Sequence, residues 1–249
     1  MCLILVAWQV HPDFPLVVAA NRDEYYARPT AFADYWAEAP DVLAGRDLQA
    51  GGTWLGMTRS GRFAAVTNVR EPQVPPGQGS RGALTRAFLQ GAQSAADYVS
   101  ALDGSAYSGF NLLVGDGESL WYCSNRGNGP QALLPGIYGV SNHLLDTPWP
   151  KLVTARARFA EALGALPDRS RIFDVLADDE IVADEALPQT GVPLEWERRL
   201  SAIFVRSDVY GTRASTVLFR SSAGDCLLEE RSFGANGMPL QSSVISTAV

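Results

Sequence analysis

Apolar and polar positions along the chain recur at two spacings, near 2 and near 3.6 residues, and these sort it into strands and helices. Leu3-Ile4-Leu5-Val6-Ala7-Trp8 is almost wholly apolar and rich in strand formers, which predicts a buried first strand over 3–10. His11-Pro12-Asp13-Phe14-Pro15 is turn chemistry, and 16–20 reads as a second strand, so the chain opens with a hairpin. Further strands are expected over 53–57, 63–68, 110–115, 120–124, 137–141, 202–206, 215–219 and 226–230. Helices are expected over 82–90, from the capping box Ser94-Ala95-Ala96-Asp97, over 149–163 and over 172–176. In the third of these, Leu152, Ala155, Phe159 and Leu163 fall on one face. Strands come in hairpin-like pairs with helices grouped between them, unlike a regular βαβ alternation. Two packed antiparallel sheets with helices outside, an α+β arrangement in one domain over 1–249, fit this order.

Composition narrows the class without naming a chemistry. The 249 residues are 47% hydrophobic and 19% charged, enough to bury a core and too apolar for disorder. Lys and Arg number 20 against 27 Asp and Glu, a formal charge of −7 that argues against nucleic acid as a partner. Cysteines at 2, 123 and 226 make no disulfide framework, and with two His a structural zinc site is not expected. No positive charge precedes Arg22, so the first apolar run is not expected to be a signal peptide. No window supplies the roughly 20 apolar residues of a membrane span. A cytoplasmic protein without an integral membrane segment is expected.

Candidate chemistry begins at Cys2. A small residue after the initiator allows Met1 to be trimmed, which leaves Cys2 with a free α-amine of reference pKa about 7.7–8.0. One residue then carries both the nucleophilic thiol and its base, and no catalytic His is needed. The plainer reading, a small hydrophobe beginning a buried strand, is the commoner one on spacing alone. Asn21-Arg22-Asp23-Glu24 follows the second strand and stands beside Cys2 in the hairpin, either as a site that holds thiol and amine or as a polar turn. Asn68 and Asn142 end strands, where a side-chain amide can meet an oxyanion or make a turn. Arg213 precedes an apolar strand and either fixes a substrate carboxylate or pairs with a surface acid.

The run from Asn21 to Pro29, with Met1-Cys2 before it, resembles the NRDE family. The likeness continues in order through Gly51-Gly52-Thr53-Trp54-Leu55-Gly56, Gly109-Phe110-Asn111-Leu112, Asn125-Arg126-Gly127, Gly139-Val140-Ser141-Asn142, Thr147-Pro148-Trp149-Pro150-Lys151 and Tyr210-Gly211-Thr212-Arg213. The resemblance implies the four-layer αββα sandwich of amino-terminal-nucleophile (Ntn) hydrolases. A more distant likeness to cysteine Ntn hydrolases such as choloylglycine hydrolase and penicillin V acylase carries Cys2 over as nucleophile. It carries Arg22 and Asp23 over as groups steadying amine and thiol, Asn68 and Asn142 as oxyanion partners, and Arg213 as the late arginine. The order N-R-D-E departs from the R-N-x-D-like order of those enzymes.

Two functions follow from the resemblance. The first is a small-molecule carrier with haem as cargo and no required cofactor. Its ligand contacts are expected at Asn21, Glu24, Trp54 and His143, the last a weak iron ligand or an exposed loop residue. The second is an Ntn amidase or acyltransferase that cleaves the amide or thioester of an acyl compound through Cys2. The family implication places the carrier slightly ahead, and the residue chemistry favours the enzyme. A lesser third reading is an interaction module using the proline-rich loop over 71–79 and the acidic stretch from Asp178, both otherwise solvated loops.

Overall fold

The computed structural model describes residues 2–75 and 77–247. Its first sheet holds β1 (Cys2–Trp8), β2 (Leu16–Tyr25), β10 (Gly136–Val140), β11 (Tyr210–Arg220), β12 (Cys226–Phe233) and β13 (Pro239–Thr247), in the order β10-β1-β2-β11-β12-β13. The second holds β3 (Thr30–Trp36), β4 (Ala39–Asp47), β5 (Leu55–Thr58), β6 (Phe63–Asn68), β7 (Phe110–Gly115), β8 (Leu120–Ser124) and β9 (Gln131–Ala132), in sequence order. All pairings between strands are antiparallel. The helices are α1 (Arg81–Gln90), α2 (Ala95–Ser100), α3 (Pro150–Ala162), α4 (Ser170–Leu176) and α5 (Leu194–Arg199).

Strand alternation distributes the core over three interfaces. On β1, Ile4, Val6 and Trp8 join Leu16, Val18 and Ala20 of β2 against Met57, Phe63 and Leu113 of the second sheet. The intervening Leu3, Leu5 and Ala7 pack with Val17 and Ala19 against Leu152 and Phe159 of α3 and Ile172 and Phe173 of α4. Across the molecule, Ala64, Val66, Leu112 and Val114 meet Leu84 and Phe88 of α1 and Val99 of α2. A strand buried on both faces reads as a continuous apolar run, which is why β1 carries no polar alternation. The order of layers is therefore helix, sheet, sheet, helix, the expected αββα sandwich.

The local signals mostly held. Ser94 caps α2 by accepting from the Asp97 amide at 3.1 Å, and Pro150 occupies the first turn of α3, where its missing N–H costs nothing. The segment over 202–206 is not the expected strand: residues 202–205 are buried but join no sheet, and Arg206 is exposed. Its backbone is committed elsewhere: Phe204 N donates to Asp178 O at 2.7 Å and Val205 N to Thr212 Oγ1 at 2.9 Å. Its carbonyls at Ala202 and Ile203 accept from Lys151 Nζ at 3.5 Å and Asn21 Nδ2 at 2.9 Å. The hairpin β3–β4 and the edge strand β13 were not expected at all.

Among the described residues no helix is long and apolar enough to cross a membrane.

Candidate functional site

Cys2 opposes Arg22 in the β1–β2 register, so both side chains project into the space between the sheets. Inward of them that space is filled by Ile4, Val18 and Ala20; at their level it opens into a cavity of about 530 Å³. Cys2, Arg22, Asp23 and Glu24 form one wall, with Thr53, Trp54, Thr67 and Asn68 across from them. The segment 77–82 and Ser108 close a third side.

Each wall is held by chemistry visible in the sequence. The Arg22 guanidinium stacks over the Trp54 ring at 4.0 Å from its centroid, and its Nη1 donates to Thr30 Oγ1 at 3.0 Å. Trp54 in turn lies where Gly45 has no side chain, since a Cβ there would sit 2.3 Å from the indole. The Gly51-Gly52-Thr53-Trp54 motif is locked to the start of α1: Thr53 N donates to Gly82 O at 3.3 Å, and Thr85 Oγ1 donates to Thr53 O. A Cβ on Gly52 would stand 2.4 Å from the Gly82 backbone, so only glycine permits this approach.

Asp23 is 2% exposed, and its Oδ1 accepts from Thr212 Oγ1 at 2.7 Å. Burial pushes its carboxyl up; the Lys151 ammonium and the Thr212 hydrogen bond pull the other way. Lys151 is itself buried, donates from Nζ to Leu200 O at 2.8 Å, and is brought down to about 8 by burial against the opposing pull of Asp23. Burial also pushes the Cys2 thiol up, with Asp23 adding to the rise and Arg22 opposing it. The thiol is thus neutral near pH 7 until a base takes its proton.

The other expected site residues are placed unevenly. Asn68 lines the cavity. Asn142, fully buried, lies behind it: its Nδ2 donates to Asn68 Oδ1 at 3.0 Å and to Asn68 O at 3.2 Å. Asn142 therefore holds the Asn68 amide in one orientation, its own donor already used. Ser141 ties this pair to the nucleophile strand by donating to Cys2 O at 3.1 Å. Asn21 points away from the cavity on the opposite face of β2, donating to Leu176 O at 2.8 Å and Ile203 O at 2.9 Å while accepting from Ser215 Oγ at 2.6 Å. It joins β2 to α4 and lines no wall of the cavity.

Arg213 lies outside the cavity as well. A β-bulge between Thr212 and Ala214 turns it outward, where Nη1 donates to Tyr25 O at 3.2 Å, Thr30 Oγ1 at 3.3 Å and Arg28 O. It secures the β2–β3 turn. His143 is exposed, with Nδ1 2.9 Å from Thr147 Oγ1, and lines no wall of the cavity.

Sequence reasoning missed Arg28, Asp47, Ser80 and Arg81. The first two form an ion pair on the cavity rim at 2.6 Å. The last two belong to Gly77-Gln78-Gly79-Ser80-Arg81-Gly82, whose first half had been read as the tail of a solvated loop. Its glycines immediately before a helix were the available signal. Position 76 of that loop, like Met1 and its expected removal, lies outside the described residues.

With this geometry described, known proteins can be set beside it. A family model described as Transport and Golgi organisation 2 matches residues 1–235. The Transport and Golgi organization 2 homolog of Mus musculus is 35% identical over 256 residues, covering 93% of each chain. Transport and Golgi organization protein 2 of Drosophila melanogaster is 26% identical, covering 89% of this chain and 88% of its own. Among solved structures, a Caenorhabditis elegans ortholog of N-acylethanolamine-hydrolyzing acid amidase superposes with a TM-score of 0.51 at 14% identity, over 87% of this chain and 92% of that one. At so low an identity that likeness concerns the sandwich alone.

Proposed function

The chain belongs to the Transport and Golgi organisation 2 family, also the NRDE family of the motif at Asn21 to Glu24, and from that premise we propose that the cavity houses cysteine acyl hydrolysis or transfer. The observation that carries this reading is the meeting of Cys2, Arg22 and Asn68 on the walls of one cavity. A cysteine thiolate attacks acyl carbons, which makes an amide or thioester of an acyl chain the substrate class to try first.

The chemistry follows from the positions. After Met1 is removed, the α-amine of Cys2 takes the thiol proton, and the thiolate attacks the acyl carbon. The buried thiol needs that base, because its own ionisation is suppressed. Oxyanion charge falls to Asn68, whose amide Asn142 orients, and a fixed donor of this kind is worth about 10²–10³ in rate. The bond from the acyl carbon to nitrogen or sulfur then breaks as the ammonium returns its proton to the leaving group. Water attacks the resulting thioester, releasing the acid and restoring the thiol. Arg22, fixed by Trp54 and Thr30, steadies the thiolate. Three free cysteines suit a cytoplasmic setting, where thiols stay reduced.

Intact mass and acyl-enzyme trapping test this reading. The expected mass lacks Met1, an acyl thioester adds its mass to wild type, and Cys2→Ala abolishes both adduct and turnover. Retained Met1, or full turnover in the Ala variant, would overturn it.

A carrier for haem is the second reading, favoured by the cavity's size, which lies within the range that encloses a cofactor-sized ligand. Such a carrier would hold its cargo without His143. A visible-band shift on titration with haem, unchanged in Cys2→Ala, would favour carriage over catalysis.

A further inference from the structure

Of the three arginines that line the cavity, only one is neutralised there. Arg28 is taken by Asp47 at 2.6 Å and Glu24 at 3.8 Å. Among the described residues, neither Arg22 nor Arg81 forms an ion pair with a carboxylate. Arg22 is 6% exposed, stacked on Trp54 and bonded to a hydroxyl. Arg81, at the first position of α1, donates from Nη1 to Gly109 O at 3.3 Å, its one side-chain hydrogen bond among the described residues. Burial weakens the hold of both on their protons, and the Cys2 sulfur is among the groups that oppose the effect in each case. Both cations line the same cavity as Cys2. A charge withdrawn from water without a counter-charge is costly, and a site that keeps two such charges is arranged for an anion that arrives from outside.

The surroundings of Arg81 fit the same visitor. The backbone amides of Arg81 and Gly82 make no hydrogen bond among the described residues, whereas Ala83 N is already bonded to Ser80 O at 2.9 Å. Ser80 lines the cavity with its hydroxyl unused as a helix cap, and α1 carries no acidic residue in its first turn. An amino-terminal helix end with free amides, a free hydroxyl and a forked cation favours an oxyanion with two or more oxygens. The competing carboxylates are committed: Asp47 and Glu24 to Arg28, Asp23 to Thr212, Glu71 to Arg126 at 2.8 Å, and Glu230, which shares a smaller pocket with Arg22, to Ala33 N at 2.9 Å.

We propose that Arg81, Ser80 and the first amides of α1, facing Arg22 across the cavity, form an oxyanion subsite beside Cys2 that takes a terminal phosphate or carboxylate of the substrate. The proposal deepens the hydrolase reading by assigning its substrate class, an acyl compound with a charged end, and Arg81 is its specificity residue.

The test uses the full chain and two probes, pyrophosphate and succinate, titrated calorimetrically at low ionic strength. Pyrophosphate prevailing points to a phosphate end, and succinate prevailing to a carboxylate; either supports the subsite. Arg81→Gln should weaken the preferred probe at least tenfold, and Arg81→Lys should recover part of the loss. Arg199→Gln, on the exposed face of α5, should bind as wild type. Should Arg81→Gln fail to fold, protection of Cys2 from iodoacetamide by the probe in wild type, lost on adding salt, serves instead. Binding of neither probe, or undiminished binding by a folded Arg81→Gln chain, overturns the subsite. Cys2→Ala is expected to bind the probe as wild type does, so a failure of the Cys2 chemistry would leave this result standing and the two ideas remain separable.

Discussion

Asn142 shows how a site residue can matter without touching a substrate. Its two amide hydrogens are spent on Asn68, one on the side-chain oxygen and one on the carbonyl, and its own oxygen lies 3.2 Å from the Ser141 hydroxyl. Asn142→Ala should therefore free the Asn68 amide to rotate, lowering kcat by about tenfold to a hundredfold with a smaller change in KM. Asn68→Ala should cost at least as much, and the double variant little more than Asn68→Ala alone, since the two act as one unit. Steady-state kinetics on the four chains check this. The sequence placed both asparagines at strand ends, but spacing gave no sign of which would face the cavity. That depends on how the ends of β6 and β10, which belong to different sheets, meet in the folded chain. The same holds for Asn21, whose face of β2 is decided by the single step that separates it from Arg22.

At the level of elements, the close meeting of the Gly51-Gly52 turn with the start of α1 is what gives the cavity its third wall. Gly52→Ala puts a methyl group 2.4 Å from the Gly82 backbone, which cannot move aside as a side chain would. The expected cost is about 1–3 kcal/mol in urea unfolding, accompanied by loss of anion binding as α1 is pushed off the cavity. Strands with an uninterrupted apolar run, β1 and the first half of β2, were legible because burial on both faces leaves a dense signal. The hairpin β3–β4 was not, because its register shifts between Ala31 and Asp34 and again between Tyr35 and Trp36, breaking the period of two. The run over 202–206 misled in the opposite sense. Its apolar side chains are buried, yet its carbonyls serve Lys151 and Asn21, a use that hydrophobicity alone does not distinguish from a strand. Arg81 was missed because a single arginine at a helix start looks like any surface cation until its cavity is seen.

For the molecule as a whole, Lys151 supplies a measurable link between folding and pH. Burial holds it down to about 8 from 10.5, so between these values the unfolded chain binds the proton and the folded chain does not. Stability from this group is therefore present above about 10.5 and is lost as pH falls toward 8. The shift corresponds to about 3 kcal/mol. Compared with Lys151→Met, wild type should gain stability by about that amount on going from pH 8 to 10.5, read as the difference in urea unfolding between the two chains at each pH. A constant difference would remove Lys151 from that role. The αββα layering itself was foreseen from strand pairs, grouped helices and the family motifs. The charge balance of the cavity was not, because it depends on which carboxylates Arg28 engages.

The bulge at Arg213 has a further consequence for how variation is tolerated. Thr212 pairs with Asp23 and Ala214 with Arg22, so two even-numbered residues of β11 end up on opposite faces. The extra residue acts as a frame shift in parity: beyond it, even positions such as Leu218 enter the space between the sheets, while before it Thr212 reaches Asp23. Deleting Arg213 would bring Thr212 and Ala214 together opposite Asp23 and Arg22, which are already consecutive, and so restore a regular ladder with every side chain on its present face; deleting a residue elsewhere in β11 would exchange inside for outside. The link between Asp23 and Thr212 is thus encoded by counting as well as by residue type, and a loss of one residue should be absorbed at the bulge but not within the regular ladder that follows it.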